Sequence, residues 1–187
     1  GQVAALAHLD TLRFYEQQDS LVLDPVTVRN LELVSALFAD EAPRGSHGAG
    51  PTTLLAAIDA TVTSMGARLL RAWVLRPEID REEIEERLDA VAELKSHTML
   101  REEIRDNLRG VQDLERLASR ATLGVATPRD FAALRQSLAR IPLVRRFLGN
   151  CLAPRLVTLL AEIDELADVH ERLEKTIAED PPPLASD

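Results

Sequence analysis

Apolar residues recur along this chain at helical spacing, and the breaks in that spacing mark where helices stop. Val3, Leu6, Leu9, Leu12 and Phe14 predict a helix over 3–16 with a partly irregular apolar face. The stretch "SLVLDP" (20–25) reads as extended, because Asp24 precedes a proline and is biased away from helix. Residues 26–38 fit two templates. Leu31, Leu33 and Ser35 alternate as in a strand, whereas Val34, Leu37 and Phe38 suit a helix, and the choice stays open. From Asp40 to Pro51 glycines and prolines surround polar residues, the composition of a surface loop.

Beyond that loop helices follow almost without pause. One is expected over Thr53–Asp59, then a β-branched break at "TVT" (61–63), then a helix over 65–75 that stops at Pro77. Asp80 and Glu83 form a D-x-x-E capping box, so a helix starts at Arg81 and buries Ile84, Leu88, Val91 and Leu94. Leu100, Ile104, Leu108, Val111, Leu114, Leu117 and Ala121 make one long seam. Gly110 weakens it by about 1 kcal/mol relative to alanine. Thr127, Pro128 and Asp130 open the next helix, which buries Phe131, Leu134 and Leu138 and ends at Pro142. Finally Leu156, Leu159, Ile163, Leu166, His170, Leu173 and Ile177 alternate steps of three and four. A strict seven-residue repeat asks for a partner helix at a shallow angle. Unbroken from Pro154 to Glu179, this helix would reach roughly 39 Å at 1.5 Å per residue, the length of a strut. The fold expected is mainly all-α: a helical core bundle with one long protruding helix, and a short β segment near 20–35 left open.

Composition agrees with helices: 45 % of residues are apolar but only 3 % aromatic. A single cysteine, Cys151, makes no internal disulfide and fits a reducing compartment. No apolar run approaches roughly eighteen residues, so no membrane span is expected. The opening "GQVAALAHLD" lacks a secretory signal's pattern, and its initial Gly suggests a processed or excised chain. Net charge is −9, against the positive concentration usual in a nucleic-acid binder. The best basic cluster is Arg135, Arg140, Arg145 and Arg146. Solvated helix faces explain it more simply than a phosphate track, and weak phosphate contacts are the most it offers.

Candidate chemistry changes the picture little. "GSHGAGPT" (45–52) lies one residue from the phosphate-binding loop G-x-x-x-x-G-K-[ST], but Pro51 replaces the lysine and removes a backbone donor. No good strand precedes it, so the linker reading prevails. His8, His47, His97 and His170 are too dispersed for a metal site, and "HERLE" (170–174) puts Glu174 where a zinc motif needs its second histidine. The acidic run "DREEIEER" (80–87) serves solubility and i,i+4 pairs. No acid, base and nucleophile assemble, so neither a catalytic residue, a cofactor site nor a metal site is expected.

Particular strings are more specific. "LDPVTVRNLEL" (23–33) is similar to the passage by which bacterial MutS mismatch-repair proteins enter their core domain. "TTLLAAIDATVTSMGARLLRAWVLRP" (52–77) resembles the family's next block, especially Met65, Gly66, Arg68, Leu69, Leu70, Trp73 and Pro77. "DREEIEERLDAVAEL" (80–94), "VQDLERLASRATLGVATPRDFAALRQSL" (111–138) and "EDPP" (179–182) follow in the family's order. Arg44–Pro51 departs from it in length and glycine content, and Gly149–Cys151 carries no distinctive match.

The resemblance covers nearly the whole chain and implies a fragment of a larger protein. Residues 1–18 would end the connector, 19–52 link into the core, 53–150 form the first part of the helical core, 151–180 form an ascending lever helix, and 181–187 lead toward a clamp absent here. The implied role is non-catalytic, structural and signal-transmitting, between DNA-binding parts and an ATPase. The parent would use ATP and Mg, bind mismatched DNA, dimerise and recruit MutL in the bacterial cytoplasm, on the nucleoid when engaged. Leu69, Leu70 and Trp73 would anchor the core, and Leu156, Ile163 and Ile177 the lever. Without a returning lever beside it, the fragment is expected to self-associate, unless its helix folds back or frays. The rival reading is a free-standing helical adaptor that binds partner helices through the 156–177 seam.

Overall fold

A computed structural model describes residues 20–37 and 53–182, which fall into two compact units. Ten helices and no strand occur among the described residues. No described helix is long and apolar enough to cross a membrane.

In the first unit, α1 (Pro25–Asn30) begins where Asp24 Oδ1 accepts from the amides of Val26 and Thr27 at 2.8 and 3.0 Å. That carboxylate satisfies two orphan donors, and Pro25 stands where none is needed, so the local chemistry selects a helix. The β segment left open near 20–35 is therefore absent from the described residues. The turn after α1 carries Glu32 at φ 47°, and Leu33 is buried. The carbonyls of Glu32 and Leu33 accept from Leu54 and Leu55 at 3.0 and 2.9 Å, which joins the turn to α2 (Leu54–Ile58). Thr53, expected as the first residue of a helix, caps α2 instead, and Thr63, expected within the break at 61–63, caps α3 (Ser64–Leu75). Gly66 serves the cap: its amide donates to Thr63 Oγ1, and a Cβ there would stand 3.0 Å from that oxygen. No residue of α3 is buried. Leu69 and Trp73 are 51 and 43 % exposed and Leu70 is half-buried, so the anchoring expected of them is thin. Trp73 instead carries the Arg87 guanidinium 4.7 Å above its ring, a cation–π contact.

Helix α4 (Arg81–Ser96) starts as its cap predicts, with Glu83 N donating to Asp80 Oδ1 at 3.0 Å. The reciprocal half differs: the Asp80 amide donates to Glu78 rather than Glu83. The expected apolar face is also corrected. Ile84, Leu88 and Val91 are 37, 60 and 62 % exposed, and the covered side runs through Ala90 and Leu94. Small Ala90 permits close approach, and neighbouring Glu93 binds the amides of Leu152 and Ala153, so a polar tie orients the helix against the larger aliphatics.

In the second unit, the long seam expected over 100–121 is two helices, α5 (Thr98–Arg109) and α6 (Leu114–Thr122). Gly110 ends the first, Asp113 caps the second, and Gln112 N donates between them to Ser137 Oγ of α7 (Pro128–Leu138) at 2.9 Å. Those polar partners let the chain turn, while Ile104, Val111 and Leu117 still reach the interior. Pro142, expected to end α7, lies in the first turn of α8 (Ile141–Leu148); α7 stops earlier, at Leu138. Two more helices follow, α9 (Pro154–Glu162) and α10 (Ala167–Thr176). Neighbours pack as α5 on α8, α6 on α7, α8 on α9 and α7 on α10. The main core joins Ala90, Ile104, Val144, Leu148, Cys151 and Leu156, with Leu159 and Ile163 packed against it.

Candidate functional site: an arginine-clasped C-terminal segment

The heptad stretch 154–179, expected as a single protruding helix, is bent. α9 and α10 are separated by 163–166, and Leu166 takes the left-handed conformation at φ 49° and ψ 44°. A leucine there costs roughly 1–2 kcal/mol, so something must hold it. Arg145 on α8 donates from Nη1 to the Ile163 carbonyl at 2.6 Å and lies 3.5 Å from the Glu165 carboxylate. Asp164 Oδ1 accepts from Leu166 N at 2.9 Å. In an unbroken helix the Ile163 carbonyl would accept from residue 167; here a guanidinium takes that place. The heptad pattern is answered inside the chain, with Leu156 buried and Ile163 half-buried in the core. Leu166 stays 41 % exposed, and no residue of α10 is buried.

A second arginine repeats the device. Arg135, on the apolar side of α7 and 9 % exposed, donates from Nη1 to the Ile177 carbonyl at 2.7 Å and from Nη2 to the Glu179 carbonyl at 3.5 Å. Its Nε stands 4.0 Å from Glu174, which also lies 3.8 Å from His170 Nε2. Ile163 and Ile177 are the C-caps of α9 and α10, so each helix ends on an arginine from the bundle. Terminal carbonyls lack intrahelical donors and carry the dipole's negative end, which suits a guanidinium fork.

The start of α9 is tied by the opposite chemistry. Glu93 Oε1 accepts from Leu152 N at 2.8 Å and Oε2 from Ala153 N at 2.6 Å. The Ala153 amide first, then that of Leu152, hold the Glu93 carboxyl below its ordinary value. At the head of α7 the expected N-cap Thr127 forms a full capping box with Asp130. The Thr127 amide and then its hydroxyl, helped by Arg120 at 3.0 Å, bring Asp130 down to about 2.

The four arginines of the basic cluster thus have different fates. Arg135 and Arg145 are engaged with carbonyls; Arg140 and Arg146 are exposed, the former lying over Gly110. Cys151 is buried, and burial first, then the Glu93 charge, push its thiol up, which makes it inert as a nucleophile. No group of three metal-ligating side chains gathers among the described residues. The glycine-rich stretch at 45–52 lies outside the described residues.

Arg135 was readable in part, since it falls between Leu134 and Leu138 on an apolar face where a solvated arginine is out of place. Ser137, fully buried, and Glu93 carried no such signal. Each acts through a partner 25 or more positions away.

The described residues define an all-α module whose polar side chains terminate and join helices. The family model of MutS domain III matches residues 26–187. The chain belongs to the MutS family. It is 51 % identical over 181 residues to the DNA mismatch repair protein MutS of Solibacter usitatus, covering 97 % of this chain and 20 % of that protein. Corresponding proteins of Symbiobacterium thermophilum and Acetivibrio thermocellus are 45 and 38 % identical over 96 and 97 % of this chain, and 20 % of each of those proteins. The chain thus spans about a fifth of the length of the curated relatives it matches.

Proposed function

We propose that this region serves a DNA mismatch-repair protein as a non-catalytic scaffold that passes mechanical signals between its DNA-binding parts and its ATPase. The observation that carries the reading is the pair of arginine clasps. With them, the segment 154–179 is fixed to α7 and α8 at two points, so displacement at one end moves a packed body. Transmission of this kind needs an element with two arrangements that both sites bias. In this reading residues 1–18 end a connector, 19–52 lead into the core, 53–150 are the core, and 151–180 lead toward a clamp beyond 181–187. ATP, Mg, mismatched DNA, a second parent chain and MutL belong to the parent, which works in the bacterial cytoplasm. The adaptor reading is the less favoured, because part of the 156–177 seam packs on the chain's own helices. The same packing weighs against self-association through that seam.

The test is titration of the chain against fluorescent duplex DNA, matched and mismatched, with phosphate release from ATP measured in parallel. The reading predicts no release and no mismatch preference. It predicts no binding at about 10 µM, within the usual range of non-specific affinity. Mismatch preference or ATP turnover would overturn it.

A further inference from the structure

Among the described residues, one apolar surface is left without cover, and its charge pattern identifies what fits it. Between α4 and α5 lies an open groove of about 480 Å³, floored by Val91, Leu94, Ile104 and Leu108. Lys95, Arg101 and Arg105 also line it, a cationic strip on a chain of net charge −9. Arg101 and Arg105, both half-buried, lie 3.5 and 4.0 Å from exposed Glu102, in partly solvated pairs of the weak kind. Three cations around an apolar floor suit an amphipathic helix with acidic flanks better than a small molecule.

Such a helix is present in the chain itself. Along α4, Ile84, Leu88 and Val91 are spaced by four and three and so share one face, and that face is exposed. Glu82, Glu83, Glu85, Glu86 and Asp89 crowd the first part of the helix, whereas Lys95 and the two α5 arginines lie at the other end. We propose that the groove takes α4 of a second copy of this chain, antiparallel, in an isologous pair. Antiparallel packing sets the acidic end of each α4 against the cationic groove of the other, and symmetry makes each contact twice. Glu85 neighbours Leu88 one turn away and is positioned to meet Arg101 of the second copy. Its present partner, Arg81 at 2.7 Å, is itself 87 % exposed and exchanges easily.

Sedimentation equilibrium of the chain tests this. The expected result is a dimer with Kd below about 1 mM. Leu88→Glu should abolish it while leaving the circular dichroism spectrum unchanged, since that side chain is already largely exposed. Glu85→Lys and Arg101→Glu should each weaken the dimer about tenfold by placing like charges opposite. An equimolar mixture of those two variants should regain the original affinity, because each mixed pair restores both attractions. A chain that stays monomeric to about 1 mM overturns the proposal and leaves the groove to some other occupant. A dimer indifferent to Leu88→Glu, or a mixture no tighter than its components, also overturns it.

Discussion

Replacing Arg135 by alanine tests the clasp directly. The side chain is 9 % exposed and reaches two carbonyls, at 2.7 and 3.5 Å; only the first has the geometry of a strong bond. A hydrogen bond involving a charged group contributes about 1.5–3 kcal/mol. Ile177 is only half-buried, so water can take over part of its carbonyl's need, and the lower end of that range applies. Glu174 adds little, being 61 % exposed and 4.0 Å away. Loss of the aliphatic stem from α7 adds a packing term, so Arg135→Ala should cost about 2 kcal/mol, or roughly 4–8 °C in Tm for a chain of this size. Arg135→Met keeps the stem and removes the donors, separating the two contributions. Urea denaturation gives the magnitude, and amide exchange gives the place. Protection should fall over 167–176, on α10, well before it falls on α5 or α8. A loss under about 0.5 kcal/mol with α10 protection unchanged would refute the reasoning.

Other predictions follow from the same contacts. The folded-state value of Glu93 is depressed, so its contribution is full above the unfolded value of 4.5 and fades as pH falls through the folded one. The Tm gap between the original chain and Glu93→Gln should therefore be widest near neutral pH and close on acidification. For Asp130 the window lies lower: stability present above 3.8 is lost as pH falls toward about 2, so Asp130→Asn should lose its penalty only there, in the same pH series. Thr127→Ala removes the cap of α7 and should cost about 1 kcal/mol in urea. Leu117→Ala, at a site only 2 % exposed, should cost about 2–5 kcal/mol. Leu88→Ala, at a site 60 % exposed, should stay within about 0.5 kcal/mol in the same assay, measured below the dimer's dissociation constant.

Local chemistry was legible in the sequence and tertiary choice was not. Asp80 and Thr127 cap helices where their spacing places them, because a cap needs only residues two or three positions away. The all-α class follows from the same signals. The misread elements were decided at a distance. Arg145 ends α9 from 18 residues away, Arg135 ends α10 from 42, and Glu93 fixes the start of α9 from 59. A heptad pattern reports that one face must be covered and does not say by what. At 154–179 the cover is the chain's own bundle, so the strut became a bent pair. On α4 the reverse happened: Ile84, Leu88 and Val91 carry the pattern of a buried face, while Ala90 and Glu93 make the contact. The MutS resemblance was legible throughout, since it rests on strings rather than on packing.

The segment beyond Pro154 is held on the bundle and does not project from it. Spin labels at Gln136 on α7 and Lys175 on α10, both exposed, measure this in the intact chain, with buried Cys151 unreactive beside them. One narrow, short distance distribution is expected, consistent with helix axes about 10 Å apart, and it broadens when Arg135 becomes alanine. A long or broad distribution, the same with and without Arg135, would contradict it.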